Sequence, residues 1–154
     1  MSGMPAVIVD VDGTLADVAG IRHYVQPGGG HRGRNFTAFH AASSWVDPHR
    51  DVVRVVQGLD ARGLAIVVLT SRTERWRWST SSWLAKWEVP VAALGMRADA
   101  DTRPDHEVKR DLHARVLDLG YRPVLAIDDN PGVIALWRSL GIPTVRVPGW
   151  EDDD

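Results

Sequence analysis

Three short runs hold most of the side chains that could do chemistry: Asp10-Val11-Asp12-Gly13-Thr14, Thr70-Ser71-Arg72 and Asp128-Asp129-Asn130. Each ends a run of branched apolar residues (6–11, 64–69 and 124–127), so each stands where a buried strand would stop. In an open parallel sheet, ligands bind beyond the carboxyl ends of the strands. Carboxylates that converge there from separate strands repel one another unless a cation lies between them. A hard divalent ion with oxygen ligands, most naturally Mg2+, meets that need. Lys109 follows Asp105 by one helical turn and shares its face. Acids, a hydroxyl and cations so placed could meet one phosphate. Taken singly, each feature has a plainer reading: a turn at Asp-x-Asp-Gly, an acid-rich helix start, a solvated lysine. Their joint occurrence, in this order and at strand ends, favours the chemical one.

The elements that must position these residues follow from periodicity. After the first strand, Asn35 can cap a short helix through Ala42. Asp47-Pro48 reads as a helix start, with Val52, Val53, Val55, Val56 and Leu59 as its apolar stripe and Gly63 as its stop. Residues 73–87 predict a helix with Trp76, Thr80, Trp83, Leu84 and Trp87 on one face, and 91–96 a third strand. Asp105 opens a helix that buries Val108, Leu112, Val116 and Leu119; another spans 131–140, and a fifth strand 144–147. Strand and helix alternate, which predicts an α/β fold: a single Rossmann-like parallel sheet with helices on both faces. Residues 22–47 break the rhythm and read as a small insertion or lid after the first strand, too short for a large cap domain. We expect one domain over 1–150 and an acidic tail at 151–154.

Composition narrows the classes. The 154 residues include no cysteine, which excludes disulfide scaffolds and thiolate chemistry. The net charge is −2, but four acids form the terminal run, so residues 1–150 carry +2. A body so near neutral is not a strong general nucleic-acid binder and would need a local basic patch. No segment reaches the ~18 apolar residues of a membrane span, and the first five residues do not read as a signal peptide. A cytoplasmic protein with no membrane contact is the expectation.

In the order quoted, Asp10-Val11-Asp12-Gly13-Thr14-Leu15, Thr70, Lys109 and Asp128-Asp129 resemble the four motifs of the haloacid dehalogenase (HAD) superfamily. A closer resemblance is to the 3′-phosphatase domain of bacteriophage polynucleotide kinase/phosphatases. It is carried by Thr70-Ser71-Arg72, Met96-Arg97, Asp101-Thr102-Arg103-Pro104-Asp105, Lys109, Ala126-Ile127-Asp128-Asp129 and Trp137-Arg138. The chain departs at Asn130, where that family usually has arginine, and Arg22 lies one position from its functional arginine. The resemblance implies a HAD-type, Mg2+-dependent phosphomonoester hydrolase that works through an aspartyl-phosphate on nucleic-acid 3′ ends. Asp10 would be the nucleophile and Asp12 the acid and base. Thr70 and Lys109 would bind phosphoryl oxygens, and Asp10, the Asp12 carbonyl, Asp128 and Asp129 would hold the metal. Arg72, Arg22, Ser71, Arg97 and Arg103 are the implied substrate-binding set, and Asp105 would orient Lys109 or Arg72.

Other features weigh less. Gly28-x-Gly30-x-x-Gly33 matches a dinucleotide fingerprint but follows Pro27 rather than a strand, so it reads as a loop. The six histidines show no metal-ligand spacing, and no Gly-x-x-x-x-Gly-Lys-Ser/Thr occurs, so no kinase half is encoded here. Trp78 lies off the helix stripe among Arg72, Arg75 and Arg77, which together read as a basic rim able to guide a polyanion; Trp78 could stack a base or pack on a neighbouring loop. Phe36, Phe39 and Trp45 suit either a lid core or a nucleoside pocket. Three functions remain: a polynucleotide 3′-phosphatase beside a separate kinase or ligase, a phosphatase of mononucleotides or other small phosphomonoesters, and a phosphate-binding module. The Asp10/Asp12 pair argues against the last, because binding alone needs no second carboxylate.

Overall fold

The structure, a computed structural model, describes residues 2–25 and 35–150. The Gly28–Gly33 fingerprint, His31 and the acidic tail lie outside them. The elements are β1 (Met4–Val9), α1 (Phe36–Ser43), α2 (Arg50–Ala61), β2 (Ala65–Thr73), α3 (Arg77–Lys86), β3 (Ala93–Arg97), α4 (Asp105–Asp118), β4 (Tyr121–Asp128), α5 (Pro131–Ser139) and β5 (Thr144–Arg146). Short 3-10 turns occupy Ala19–Tyr24 and Glu74–Trp76.

The five strands form one parallel sheet in the order β3-β2-β1-β4-β5, with β1 central. Side chains alternate across a strand, so β1 and β2 feed two cores. Val7, Val9, Ile66 and Val68 pack with Val53 and Val56 of α2 and Trp83 and Leu84 of α3. Ala6, Ile8, Val67 and Leu69 face the other way, onto Val108, Leu112 and Val116 of α4 and Val133, Leu136 and Trp137 of α5. Val9 pairs with both Val68 and Ile127, so the residues that follow on β1, β2 and β4 emerge level at one sheet edge. No described helix is long and apolar enough to cross a membrane.

Several boundaries differ from the sequence reading. Asp47-Pro48 does not open α2. Its residues tie down the Asp10–Thr14 loop: the Asp47 carbonyl accepts the Asp17 amide at 2.9 Å, and Pro48 bridges Ala16. The His49 amide donates to the Leu15 carbonyl at 2.8 Å, and the helix starts only at Arg50. β2 runs on through Thr70-Ser71-Arg72 to Thr73, so α3 begins at Arg77 rather than 73. Leu119 is exposed, since α4 ends at Asp118 and Gly120, at φ +93°, turns the chain into β4. α1 is capped as expected, with Asn35 Oδ1 accepting the Ala38 amide at 2.9 Å. It buries Phe39 in the same core as Val7, Val9 and Trp83 and leaves Phe36 and the nearby Trp45 exposed.

Gly95 of β3 allows α4 to lie close to the sheet. A Cβ there would stand 2.7 Å from Leu69 Cδ2 and 3.4 Å from Leu112 Cδ2, both on buried residues. Gly95→Ala should therefore lower stability by about 1–3 kcal/mol through overpacking. Denaturant unfolding measures this as a lower midpoint with an unchanged slope; an unshifted midpoint would contradict the tight packing.

Candidate active site

The central strand delivers Asp10, its neighbour β4 delivers Asp128 and Asp129, and α4 swings Lys109 beneath them. Lys109 is buried, and its Nζ donates to Asp10 Oδ1 at 2.7 Å and to Asp128 Oδ2 at 2.8 Å. Asp128 Oδ1 accepts the amides of Asp129 and Asn130 at 2.9 and 3.0 Å, which fixes its plane. Thr14 Oγ1 lies 3.0 Å from Asp129 Oδ1 and 3.3 Å from Asp10 Oδ2. Gly13, at φ +81°, must be glycine: a Cβ there would overlap the Asp129 carboxylate. Asn130, where an arginine would be usual, accepts the Gly132 amide at 2.9 Å and caps α5.

These contacts leave charge out of balance. Asp10, Asp128 and Asp129 each offer an oxygen within 4.8 Å of the others, and the amine that touches the group is Lys109. Burial, then Asp128, push the Asp10 carboxyl well above its usual range despite Lys109. Burial also raises Asp129. Burial would lower Lys109, but Asp10 and Asp128 outweigh it and keep the amine charged. Three buried oxygen donors with a negative excess fit a hard divalent cation. The Asp12 side chain does not belong to this group.

Asp12 is held apart by Arg72. The guanidinium makes a fork, Nη2 to Oδ1 at 2.6 Å and Nε to Oδ2 at 3.0 Å, and its Nη1 donates to buried Thr80 Oγ1 at 3.1 Å. Arg72 is only 1% exposed. A bulge turns it inward: pairing with β3 jumps from Thr70↔Met96 to Thr73↔Arg97, leaving Ser71 and Arg72 unpaired in the ladder. Expected among the substrate contacts, Arg72 instead orients Asp12. Burial alone would raise the Asp12 carboxyl; the charge and fork of Arg72 outweigh it and hold the pKa below its usual value. Thr70, buried beside it, accepts the Arg72 amide at 3.1 Å, which fixes its hydroxyl.

Arg97, Arg103 and Asp105 form a separate brace. Arg97 donates to the Ser71 carbonyl at 2.9 Å, to the Asp101 and Arg103 carbonyls at 3.0 and 2.6 Å, and to Asp105 Oδ1 at 2.7 Å. Asp105 thus pairs with Arg97, not with Lys109 or Arg72. Arg103 bridges Asp101 and Asp111, and its hydrogen bonds pull the Asp101 pKa down to about 2. The brace supports Ser71, whose Oγ is buried without a protein partner. Arg22 reaches the site through Asp129, with Nη2 3.4 Å from Oδ2.

Thr14, His40 and Trp150 belong to the site and escaped the sequence reading as site residues. Thr14 sat within a quoted motif that carried its signal; the other two had none. His40 comes from α1 and meets Phe39 edge-on at 5.4 Å and Trp76 at 5.9 Å. Burial lowers its pKa, and it feels the charges of both Asp12 and Arg72. Trp150 donates its indole N–H to Asp129 Oδ2 at 2.6 Å. The expected basic rim is thinner than its sequence: Arg77 is forked onto Glu74, and Arg75 lies over the Trp76 ring at 5.3 Å. Trp78 stays exposed.

A five-stranded parallel sheet with a buried aspartate directly after β1, a lysine from α4 and paired aspartates at the end of β4 defines a HAD-type phosphatase. The class C acid phosphatase from Bacillus anthracis shares the fold, with a TM-score of 0.67 at 15% identity over 97% of this chain and 69% of that one. The family described as the polynucleotide kinase PNKP phosphatase domain matches residues 4–149, and the chain belongs to it. A chain in the Pnkp1/Rnl/Hen1 RNA repair complex is similar at 25% identity and a TM-score of 0.79, over 94% of this chain and 42% of that one. An Autographa californica nuclear polyhedrosis virus protein, named for bifunctional polynucleotide kinase/RNA ligase activity, is 28% identical over 142 residues. That match covers 91% of this chain, which spans only 19% of the viral protein.

The Asp12–Arg72 pair has a measurable pH signature. Because the pKa of Asp12 is depressed in the fold, its contribution to stability is present above the ordinary carboxylate pKa and is lost as pH falls through the lowered value. Arg72→Met should move the Asp12 titration upward in carboxyl 13C NMR. It should also cost about 1–3 kcal/mol, since Thr80 Oγ1 loses its buried partner. An unmoved Asp12 titration would show that the fork does not set its charge.

Proposed function

We propose that the chain is a Mg2+-dependent polynucleotide 3′-phosphatase that works through an aspartyl-phosphate on Asp10. The observation that carries the reading is the division between two carboxylates two residues apart. Asp10 lies in the carboxylate–lysine cluster, while Asp12 is forked by Arg72. Paired carboxylates in unlike environments are suited to unlike roles.

In the first half-reaction an Asp10 oxygen attacks phosphorus, the bond to the ester oxygen breaks, and Asp12 gives that oxygen a proton. In the second, water attacks the aspartyl-phosphate, Asp12 takes a proton from it, and the Asp10–phosphorus bond breaks to free phosphate. Arg72 favours the ionised Asp12 needed in the second half; an incoming phosphate dianion biases it back toward the acid needed in the first. Asp10, Asp128, Asp129 and the Asp12 carbonyl would hold Mg2+, which supplies charge neutralisation between carboxylate and phosphate. Lys109 uses two of its three donors on Asp10 and Asp128, leaving one for a phosphoryl oxygen. Thr70 and the unpartnered Ser71 hydroxyl are the neutral donors beside it.

The 3′-end substrate rests on the family and on the kinase, ligase and repair names of similar proteins. A separate kinase or ligase acting on the same ends is the partner this reading implies. Residues 22–47 would serve as a lid, with α1 bringing His40 toward Asp12. The second reading, a phosphatase of mononucleotides or small phosphomonoesters, is favoured by one observation: Arg72 and Arg77, expected on the rim, are already paired with Asp12 and Glu74.

One assay separates them: phosphate release from a 3′-phosphorylated oligonucleotide, 3′- and 5′-mononucleotides and an aryl phosphate, with Mg2+ or EDTA. The oligonucleotide should be preferred, with activity lost in chelator. Oligonucleotide turnover no better than the mononucleotide's would select the second reading. Asp10→Asn should reduce turnover to background in a folded protein, because an amide cannot attack phosphorus. Asp12→Asn should harm poor leaving groups more than the aryl ester; equal losses would remove its acid role.

A further inference from the structure

Trp150 follows β5 after a turn at Pro148-Gly149, with Gly149 at φ +145°. That turn aims the indole at Asp129, with Nε1 2.6 Å from Oδ2. Arg22, from the 3-10 turn after β1, closes the arrangement. Its Nη1 donates to the Gly149 carbonyl at 2.9 Å, its Nη2 lies 3.4 Å from Asp129 Oδ2, and its guanidinium lies 5.4 Å from the Trp150 ring centroid. Two chain segments far apart in sequence therefore meet on one oxygen of one carboxylate.

A carboxylate oxygen accepts about two hydrogen bonds. Oδ2 of Asp129 faces two nitrogen donors, Trp150 and Arg22, whereas Oδ1 faces the Thr14 hydroxyl and the Asp10 side of the cluster. Oδ1 thus keeps a lone pair free, and the donors on Oδ2 fix the plane in which it is presented. Outer-shell donors of this kind orient metal ligands and commonly change metal affinity when removed.

We propose that Trp150, with Arg22, is a positioning residue for the divalent cation, holding the Asp129 carboxylate turned toward Asp10 and Asp128. The proposal rests on the metal reading of the carboxylate cluster. It places the segment after β5 in control of cation affinity, although no atom of Trp150 is a ligand. Trp150 is half-exposed, so its removal leaves both cores intact.

The test compares wild type with Trp150→Phe, which keeps a ring and removes the N–H. Isothermal titration with Mg2+, and with Mn2+ as a second probe, should show affinity about 10–100-fold weaker in the variant. Thermal unfolding without metal should stay close to wild type. In 1H–15N spectra, the indole peak missing from Trp150→Phe should shift during Mg2+ titration with the midpoint of the heat signal. Should the variant misfold, this wild-type indole response still decides, with Trp150→Tyr supplying the peak assignment. Equal or tighter metal binding in the variant, or an indole peak blind to Mg2+, would overturn the role of Trp150. Wild-type protein that binds no divalent cation would instead overturn the metal reading beneath it.

Discussion

Three buried carboxylates facing one buried amine set the terms for the rest of this molecule. Asp10, Asp128 and Asp129 crowd into a region that burial has emptied of water, and Lys109 balances only part of their charge. Buried charge is tolerated only when it is paired and hydrogen-bonded. Each carboxylate is accordingly engaged: Asp10 by Lys109 and Thr14, Asp128 by Lys109 and two amides, Asp129 by Thr14, Arg22 and Trp150. The glycine before Thr14, the bulge-free end of β4 and the lysine on the inner face of α4 all serve that arrangement. The cluster offers three carboxylate oxygens of the kind a hard divalent cation takes.

The Asp12–Arg72 pair shows how the same sheet edge sustains a second, separate electrostatic environment. Register slip between β2 and β3 frees two residues from the ladder, and one of them drives a guanidinium into the core. Asp12 then faces a cation from one side, while its neighbour two residues away faces carboxylates. Arg97 does for the bulge what Arg72 does for Asp12. It gathers the carbonyls of Ser71, Asp101 and Arg103, so the loop after β3 becomes a wall behind the β2 bulge. The arginines of this region are mostly internal struts.

Much of the fold and of the cluster could be read from sequence, because both depend on local rules. Alternating apolar strands and capped helices prescribe a parallel sheet, and a parallel sheet prescribes where Asp10, Thr70, Asp128 and Asp129 emerge. What could not be read depends on contacts distant in sequence. Arg72 looked like a substrate-facing residue because a three-residue motif does not reveal that a bulge will turn it inward. The resemblance implied that Asp105 would orient Lys109 or Arg72, yet Arg97 from β3 takes it. Asp47-Pro48 carried a helix-start signature, and tertiary pairing with Ala16 and Asp17 overrode it. Trp150 had no signal at all: only the path of β5 brings it to Asp129.

These internal commitments bear on how a polymer could be recognised. Salt-sensitive binding to a strand needs several cations facing phosphates along its length. Here Arg72, Arg77, Arg97 and Arg103 each pair with an acid, Arg22 is drawn to Asp129, and the body carries only +2 outside the terminal acids. Under the proposed reading, affinity must therefore be concentrated at the terminal phosphate. Only a short stretch of substrate beyond it would contribute, through exposed side chains such as Phe36 and Trp78 and the Arg75 that lies over Trp76. Stacking on such side chains is tolerant of base identity, because every base has a π-face. Under the proposed reading, a protein built this way would recognise an end rather than a sequence.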